Sequence, residues 1–162
     1  MAIRNIITEG DSFLNKKSRP VEKFDKRLAQ LLDDMGDTLK DANGVGLAAV
    51  QVGVLRRVVV IDVGEGIKEL VNPVFLEQSG EQEGMEGCLS IPGKWGMTKR
   101  PAHVKVRAQD RNGDFYEYEG DDLLATVSCH EIDHLDGILF LSHVTRMLTE
   151  EELLKLRSSE AE

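Results

Sequence analysis

The stretch SCHEIDHLDG, residues 128–137, contains two histidines four positions apart, with a glutamate directly after the first. On an α-helix, His130 and His134 lie about 40° apart around the axis and about 6 Å apart along it. Both imidazoles can therefore bind one divalent ion at about 2.0–2.1 Å. Glu131 lies beside them but is turned away from the ion, where its carboxylate can hold a water molecule. The spacing predicts a metal site on a helix, and the alternative is a chance match on an amphipathic helix.

Two protein ligands rarely complete a metal site, so a third ligand must come from elsewhere in the chain. The segment EGCLSIPG offers Cys88, and the glycine before it and the proline soon after it predict a turn that directs the sulfur. A set of Cys88, His130 and His134 would leave one coordination position open, which is typical of catalytic rather than structural sites. Three alternatives remain: Cys88 is a buried apolar thiol, Cys129 competes as ligand although it is turned about 100° from His130, or a Cys88–Cys129 disulfide removes a ligand.

Helices are predicted where apolar residues recur at helical spacing. FDKRLAQLLDDMGDTLKDANG predicts a helix that Asp25 caps and Asn43-Gly44 ends. The metal motif lies on a second helix from about Leu123 to Asp136. Its apolar side, formed by Ile132, Leu135 and Leu139, lies opposite the side that carries the metal ligands. A short third helix is expected from Thr149, with Glu152 completing a capping box.

Strands are predicted between these helices. GVGLAAVQVG is expected to be extended, RRVVVIDVG and KELVNPVFLE to be strands, and HVKVRAQDRNGDFYEYEG to be a hairpin that turns at Asn112-Gly113. Helices and strands mix without a repeating βαβ rhythm, which predicts an α+β fold with short antiparallel β-sheets packed around a central metal-binding α-helix. We expect residues 1–162 to form one domain with a short C-terminal helix from about residue 149.

The composition is that of an acidic globular chain. It has 162 residues, 20 Lys and Arg against 29 Asp and Glu, and a net charge of −9. This argues against binding to DNA, although a local basic patch can persist in an acidic protein. Two cysteines are too few for a disulfide scaffold and suggest reduced thiols. The N-terminus MAIRNIITEG has no apolar core of a signal peptide and no apolar run is long enough for a membrane span, so we expect a cytoplasmic protein.

Three segments, GVGLAAVQ, EGCLS and HEIDHLDG, resemble the three motifs of the bacterial peptide deformylase family, in that family's order. The resemblance extends to about residue 145. It implies a metal-dependent hydrolase that removes the N-formyl group from the N-terminal formyl-methionine of nascent proteins and releases formate. It also implies that Cys88, His130 and His134 bind one divalent ion, typically Fe²⁺, which Zn²⁺, Ni²⁺ or Co²⁺ can replace.

The resemblance assigns further roles to single residues. Glu131 is the implied acid and base, and the Gln51 amide and the Leu89 backbone N–H are the groups that polarise the carbonyl. The implied methionine pocket consists of Val45, Glu86, Gly87, Leu123, Thr126, Val127 and His130. Gly46 belongs to a run of small residues that lets a substrate backbone come close, and the alternative is an ordinary glycine turn that enters a strand.

Two charged residues near these motifs carry predictions of their own. A charged and unpaired Glu86 would be costly in a pocket, so we predict that it pairs with Arg100. Asp133 either orients a metal ligand or a neighbouring basic group, or is a plain solvated helix residue.

The sequence departs from the family pattern at three positions. Val50 replaces the usual proline, Cys129 replaces a frequent glutamine, and Thr126 replaces an aliphatic pocket residue. None of these changes removes a catalytic group, but they bear on side-chain preference and on redox sensitivity.

The implied partners are N-formylmethionyl nascent peptides, and we expect a monomer. The segment TEEELLKLRSSEAE has five acids against two bases, so we expect at most a weak ribosome contact from this tail. Three rival hypotheses are a metalloprotease with a carboxylate as third ligand, an inactive metal- or peptide-binding relative, and a thiol redox sensor built on Cys129.

Overall fold

The computed structural model describes residues 2–161, and the surroundings of side chains up to residue 156. The described residues form eight strands, three α-helices and three short 3-10 helices. The α-helices are α1 (Lys26–Asp41), α2 (Asp122–Leu135) and α3 (Glu150–Ala161). The strands are β1 (Gly46–Ala48), β2 (Val58–Ile61), β3 (Lys68–Ser79), β4 (Gln82–Cys88), β5 (Ile91–Arg100), β6 (His103–Gln109), β7 (Phe115–Asp121) and β8 (Val144–Met147). The predicted α+β class is confirmed.

The strands form two antiparallel sheets. A five-stranded sheet has the order β1-β2-β3-β6-β7, and a three-stranded sheet has the order β4-β5-β8. The predicted strands β2 and β3 and the hairpin of β6 and β7 are present. The sequence did not reveal β4, β5 or β8, because most of their side chains are at least partly exposed and the hydrophobic alternation is weak.

Helix α1 forms where the capping signal predicted it. The Asp25 carboxylate accepts a hydrogen bond from the Leu28 N–H at 3.1 Å. The buried face of α1 packs against β2 and encloses one of two hydrophobic clusters, which includes Leu32, Met35 and Val58.

The segment GVGLAAVQVG is only partly extended, which corrects the sequence prediction. Strand β1 ends at Ala48, and Ala49–Val52 forms a 3-10 helix that ends at Gly53 with φ +85°. The Gln51 side-chain oxygen accepts the Ala48 N–H at 2.9 Å, which stabilises this turn. The turn brings Gln51 of the segment GVGLAAVQ toward Cys88 and Ser90 of the segment EGCLS.

Helix α2 is more deeply buried than its sequence suggested. Its apolar residues lie in the core, but Ser128, His130, Glu131 and His134 are buried as well. The sequence predicted one buried apolar side and an opposite chemical side, and the structure buries both because strands of both sheets pack around the helix. Leu139 lies beyond the end of α2 at Leu135 and does not extend its apolar face.

Helix α3 begins with the predicted capping box. The Glu152 carboxylate accepts the Thr149 N–H at 3.2 Å, and the Thr149 hydroxyl accepts the Glu152 N–H at 3.1 Å. Across the described residues, no helix has the length and apolar character needed to cross a membrane.

Candidate active site

Cys88, His130 and His134 come together at one point of the fold. Cys88 is the last residue of β4, and the two histidines lie one turn apart on α2. Their donor atoms lie within 4.8 Å of one another, and Cys88 Sγ is 3.3 Å from His134 Nε2. Cys129 instead packs in the hydrophobic core, 5% exposed, because it is turned away from His130 on the helix. The structure thus assembles the predicted set and leaves the rival thiol out of it.

The donor set fits a divalent transition metal. A tetrahedral ion with M–S of about 2.3 Å and M–N of about 2.0–2.1 Å separates its sulfur and nitrogen ligands by about 3.5 Å, close to the separation found here. Burial lowers the pKa of His134 to about 3, with a further contribution from His130, which favours the neutral ring that metals bind. The Nδ1 atom of His134 is buried without a hydrogen-bond partner in the described part of the chain.

Glu86 and Arg100 form the predicted ion pair, which is confirmed. Arg100 donates from Nε to Glu86 Oε2 at 2.8 Å and from Nη2 to Oε1 at 3.0 Å. Burial alone would raise the pKa of Glu86, but hydrogen bonds from His130, Arg100 and Thr98 lower it to about 2. The ionised carboxylate lies 2.8 Å from His130 Nδ1, so this nitrogen carries a proton. Burial alone would lower the pKa of His130, but Glu131, Cys88 and Glu86 raise it to about 10, so a metal that binds Nε2 must displace the proton there.

Asp133 also contacts Arg100. Its Oδ2 lies 2.9 Å from Arg100 Nη1 and 3.2 Å from His143 Nε2. The sequence left open whether Asp133 orients a neighbouring group or is a plain solvated residue. The structure shows that it orients a basic group, Arg100. The guanidinium is therefore held between two carboxylates, one from β4 and one from α2.

Glu131 has the environment of a proton-transfer group. Its side chain is buried, and Oε2 lies 3.9 Å from His130 Nε2. Oε1 has no hydrogen-bond partner among the described residues. Burial raises the pKa of Glu131 to about 7, although the nearby His130 lowers it. A carboxylate with a pKa near neutral can both accept and donate a proton.

Gln51 directs its amide toward the same centre. Its Nε2 lies 3.6 Å from Cys88 Sγ and donates to the Ser90 hydroxyl at 3.0 Å. Leu89 follows Cys88 in the turn between β4 and β5. The polarising role of the Gln51 amide and of the Leu89 N–H stays a prediction.

The residues predicted for the substrate pocket differ in exposure. Val45 and Leu123 are 43% and 53% exposed, and Thr126 is half-buried. Gly46 is buried against Glu131, and Gly87 lies against the ring of Trp95. Val127 packs in the core, and the Glu86 carboxylate is occupied by Arg100, so their part in a methionine pocket stays a prediction.

Three supporting residues were missed by the sequence reasoning. Ser90 holds Gln51, the Thr98 hydroxyl donates to Glu86, and the Phe140 ring stacks on His130 with centroids 5.8 Å apart. Ser90 lies in the EGCLS motif and was within reach of sequence reasoning. Thr98 and Phe140 carry no local signal, because their roles depend on contacts across the fold.

A thiol and two imidazoles around one point, beside a buried glutamate that titrates near neutral pH, are typical of a mononuclear metal-dependent hydrolase. A family model described as polypeptide deformylase matches residues 3–150. The peptide deformylase of Caldicellulosiruptor bescii is 58% identical over 158 residues, covering 98% of this chain and 95% of that protein.

Solved structures are similar as well. The crystal structure of the Thermotoga maritima peptide deformylase has a TM-score of 0.87 at 38% identity, covering 88% of this chain and 98% of that one. The Legionella pneumophila enzyme has a TM-score of 0.85 at 42% identity, covering 96% and 92%. The chain therefore belongs to the peptide deformylase family. It is a metal-dependent hydrolase that removes the N-formyl group from the formyl-methionine of nascent peptides and releases formate.

Family membership decides against the rival hypothesis of a metalloprotease. The intact set of Gln51, Cys88 and Glu131 argues against an inactive metal- or peptide-binding relative. The redox-sensor hypothesis is disfavoured by the surroundings of Cys129. Burial raises the pKa of the Cys129 thiol to about 11, and only the thiolate is an effective nucleophile.

Proposed function

We propose that Cys88, His130 and His134 hold one ion, Fe²⁺ in the native enzyme, which Zn²⁺, Ni²⁺ or Co²⁺ can replace. The observation that carries this proposal is the convergence of the three donor atoms within 4.8 Å of one another. Thiolate and imidazole ligands suit these borderline metals better than Mg²⁺ or Ca²⁺. When bound, the ion supplies Lewis-acid chemistry, which makes water a better nucleophile at neutral pH.

Glu131 is the proposed acid and base of the reaction. Its carboxylate takes a proton from the attacking water and returns it to the amine that leaves when the formyl C–N bond breaks. Its pKa near 7 suits both steps. Negative charge that develops on the formyl oxygen is stabilised by hydrogen bonds from the Gln51 amide and the Leu89 N–H.

The substrate is proposed to bind along β1. This strand is at the edge of the five-stranded sheet and pairs with β2, so an extended peptide can add as a further strand. Gly46 lets the peptide backbone approach Glu131. The methionine side chain is proposed to contact Val45, Leu123 and Thr126, with Glu86, Gly87 and Val127 forming the deeper wall.

The cellular setting is also proposed. Because its substrates are nascent peptides, we infer that the protein acts in the cytoplasm beside the ribosome, as a monomer with one catalytic domain spanning residues 1–162. Light scattering of the purified protein tests the monomer, and a single cooperative unfolding transition tests the single domain.

Formate release tests the proposed function. The protein is purified without air, its metal is measured, and formate is followed with a formyl-methionyl peptide and with the matching acetyl peptide. We expect formate from the first and little hydrolysis of the second.

Glu131→Gln should keep the ion and lose about 10²–10⁴ in turnover, and Cys88→Ala should lose the ion. Cys129→Ala is the matched control, and it should keep both metal and activity. Full metal content in the Cys88 variant would refute the ligand assignment.

A further inference from the structure

A second set of side chains of the kind that bind metals lies on the five-stranded sheet and shares no residue with the proposed catalytic ion. It consists of Glu77 on β3, His103 on β6 and Glu119 on β7. The candidate donor atoms of these three side chains lie within 4.8 Å of one another. The His103 side chain is 30% exposed, and both glutamates are exposed. We call these three residues the sheet cluster.

The pairing of the strands brings the sheet cluster together on the outer face of the sheet. Lys105 lies directly opposite Glu77 on one side and Glu119 on the other. His103 is two residues before Lys105 and therefore points to the same face. A β-bulge between Phe75 and Glu77 completes the set, because Phe75 packs against the core and a regular strand would turn Glu77 to that side as well. The ligand candidates are thus held by paired strands rather than by a loop.

A carboxylate orients the imidazole of His103. Asp121 Oδ1 lies 2.7 Å from Nδ1, so Nδ1 carries a proton, and Nε2 lies 3.4 Å from Glu119 Oε1. The hydrogen bond to Asp121 raises the pKa of His103, so an ion that binds Nε2 displaces the proton there. Asp121 is the N-cap of α2, but its side chain caps no N–H of that helix and bonds His103 instead. A carboxylate on the outer nitrogen of a histidine is typical of metal-binding histidines.

The sheet cluster has an excess of negative charge. Its two glutamates and the orienting aspartate place three carboxylates around one imidazole. Across the described part of the chain, neither Glu77 nor Glu119 forms an ion pair with a lysine or an arginine. Lys105 lies between them in the pairing but extends to Glu117, with 3.8 Å from Nζ to Oε1. A divalent ion in place of the proton on Nε2 neutralises more of this charge than the proton does.

We propose that Glu77, His103 and Glu119 bind a second ion, Zn²⁺, on the outer face of the five-stranded sheet. Imidazole is a preferred ligand of Zn²⁺ and not of Mg²⁺ or Ca²⁺, and carboxylate oxygens complete such sites. The cluster has no thiolate and is exposed, so it is the weaker of the two metal sites. The ion joins β3, β6 and β7 at the point where the chain enters α2, and it thereby stabilises the frame of the helix that carries the catalytic histidines.

Zinc stoichiometry separates the two sites. The wild type, Cys88→Ala, His103→Ala and the double variant are dialysed against a series of free Zn²⁺ concentrations, and bound zinc is measured while circular dichroism monitors folding. We expect two ions in the wild type, one in each single variant and none in the double variant. Equal zinc binding by His103→Ala and the wild type across the series would overturn the proposal. A failure of the proposed catalytic ligands appears separately, as two ions retained in Cys88→Ala.

Further variants in the Cys88→Ala background measure the affinity of the sheet cluster alone. Glu119→Gln and Asp121→Asn should each weaken zinc binding by about 10- to 100-fold. Glu117→Gln is the matched control, because Glu117 is an exposed glutamate on the same strand and face but outside the cluster. Equal losses in Glu119→Gln and Glu117→Gln would show that surface charge alone attracts the ion, and would overturn the proposal.

Stability and activity give two independent measurements. Zinc should raise the melting temperature of Cys88→Ala and leave that of the double variant unchanged, because only the first retains the sheet cluster. His103→Ala with its catalytic ion in place should release formate from a formyl-methionyl peptide at the wild-type rate. A zinc-induced rise of the same size in the double variant would show that the ion binds elsewhere and would contradict the assignment.

Discussion

Arg100 is the residue on which the charge balance of the site depends. It is buried between Glu86 and Asp133, and Glu86 in turn holds the Nδ1–H of His130. A buried carboxylate that loses its cation is costly, since neither water nor another charge replaces the pair. The ring orientation of a proposed metal ligand therefore depends on a residue that does not contact the ion.

Arg100→Ala should destabilise the protein by about 3–5 kcal/mol and weaken metal retention. Urea unfolding measures the first effect, and metal content after dialysis measures the second. Lys105→Ala removes a cation from an exposed pair with Glu117 and should change neither quantity much. Unchanged metal content in the Arg100 variant would contradict the positioning role of the pair.

Gly46 is the second residue on which the geometry of the site depends, because it leaves room for the Glu131 side chain. A Cβ at this position would lie 2.5 Å from Glu131 Oε2 and 2.7 Å from Cγ. The residue does not have a positive φ, so alanine is acceptable to the backbone and the contact alone forbids it.

Gly46→Ala should therefore displace the Glu131 carboxylate and lower kcat by about tenfold or more, within the range that general acid and base groups contribute. Steady-state kinetics with a formyl-methionyl peptide measures this. Gly84→Ala is the control, because nothing lies within 4 Å of its Cβ position. If both variants keep wild-type kcat, the contact between Gly46 and Glu131 has no part in catalysis.

At the scale of the elements, helix α2 must end directly after its second metal-ligand candidate. The Gly137 N–H bonds the His134 carbonyl at 3.1 Å, and the Ile138 N–H bonds the Asp133 carbonyl at 3.0 Å, which is a Schellman motif. Gly137 has φ +76°, and its Cβ would lie 2.3 Å from the backbone oxygen of Asn15. The helix end is therefore packed against the N-terminal segment.

Gly137→Ala should destabilise the protein by more than the roughly 1–2 kcal/mol that left-handed backbone conformation costs a residue with a side chain. Gly93→Ala is the matched control, because Gly93 has φ +79° and nothing within 4 Å. Thermal unfolding of both variants separates backbone strain from the clash. Equal losses of stability would show that the contact with Asn15 is unimportant.

At the scale of the whole molecule, the proposed ion connects two parts of the fold. Cys88 belongs to the three-stranded sheet, whereas the histidines lie on α2, which packs against strands of the five-stranded sheet. An ion bound to all three ligands favours the folded over the unfolded chain.

Removal of the metal should accordingly lower the melting temperature. At a free ion concentration of 100 times Kd, the ion contributes about 2.7 kcal/mol of stability. Calorimetry with and without a chelator measures the difference. In Cys88→Ala this difference should be much smaller, and a chelator effect of wild-type size in that variant would show that the ion is bound elsewhere.

The sequence by itself determined those features that depend on neighbours along the chain. The cap of α1 at Asp25, the turn at Asn112-Gly113 and the capping box at Thr149 follow from local hydrogen bonding. The spacing of His130 and His134 follows from helical geometry. The segment EGCLSIPG offered Cys88 as the third ligand candidate, the resemblance of the motifs supported it over Cys129, and the structure brings Cys88 to the same point.

Only the tertiary structure decided how distant residues meet. The Cys88 thiol reaches His134 across 46 positions because β4 and β5 pair beside α2. The hydrophobic alternation of those two strands is too weak to predict this pairing from the sequence. Thr98 and Phe140 were missed, and the burial of the ligand-bearing side of α2 was not predicted, for the same reason. Periodicity reports which face of an element is apolar, whereas the number of elements that pack around it depends on the path of the whole chain.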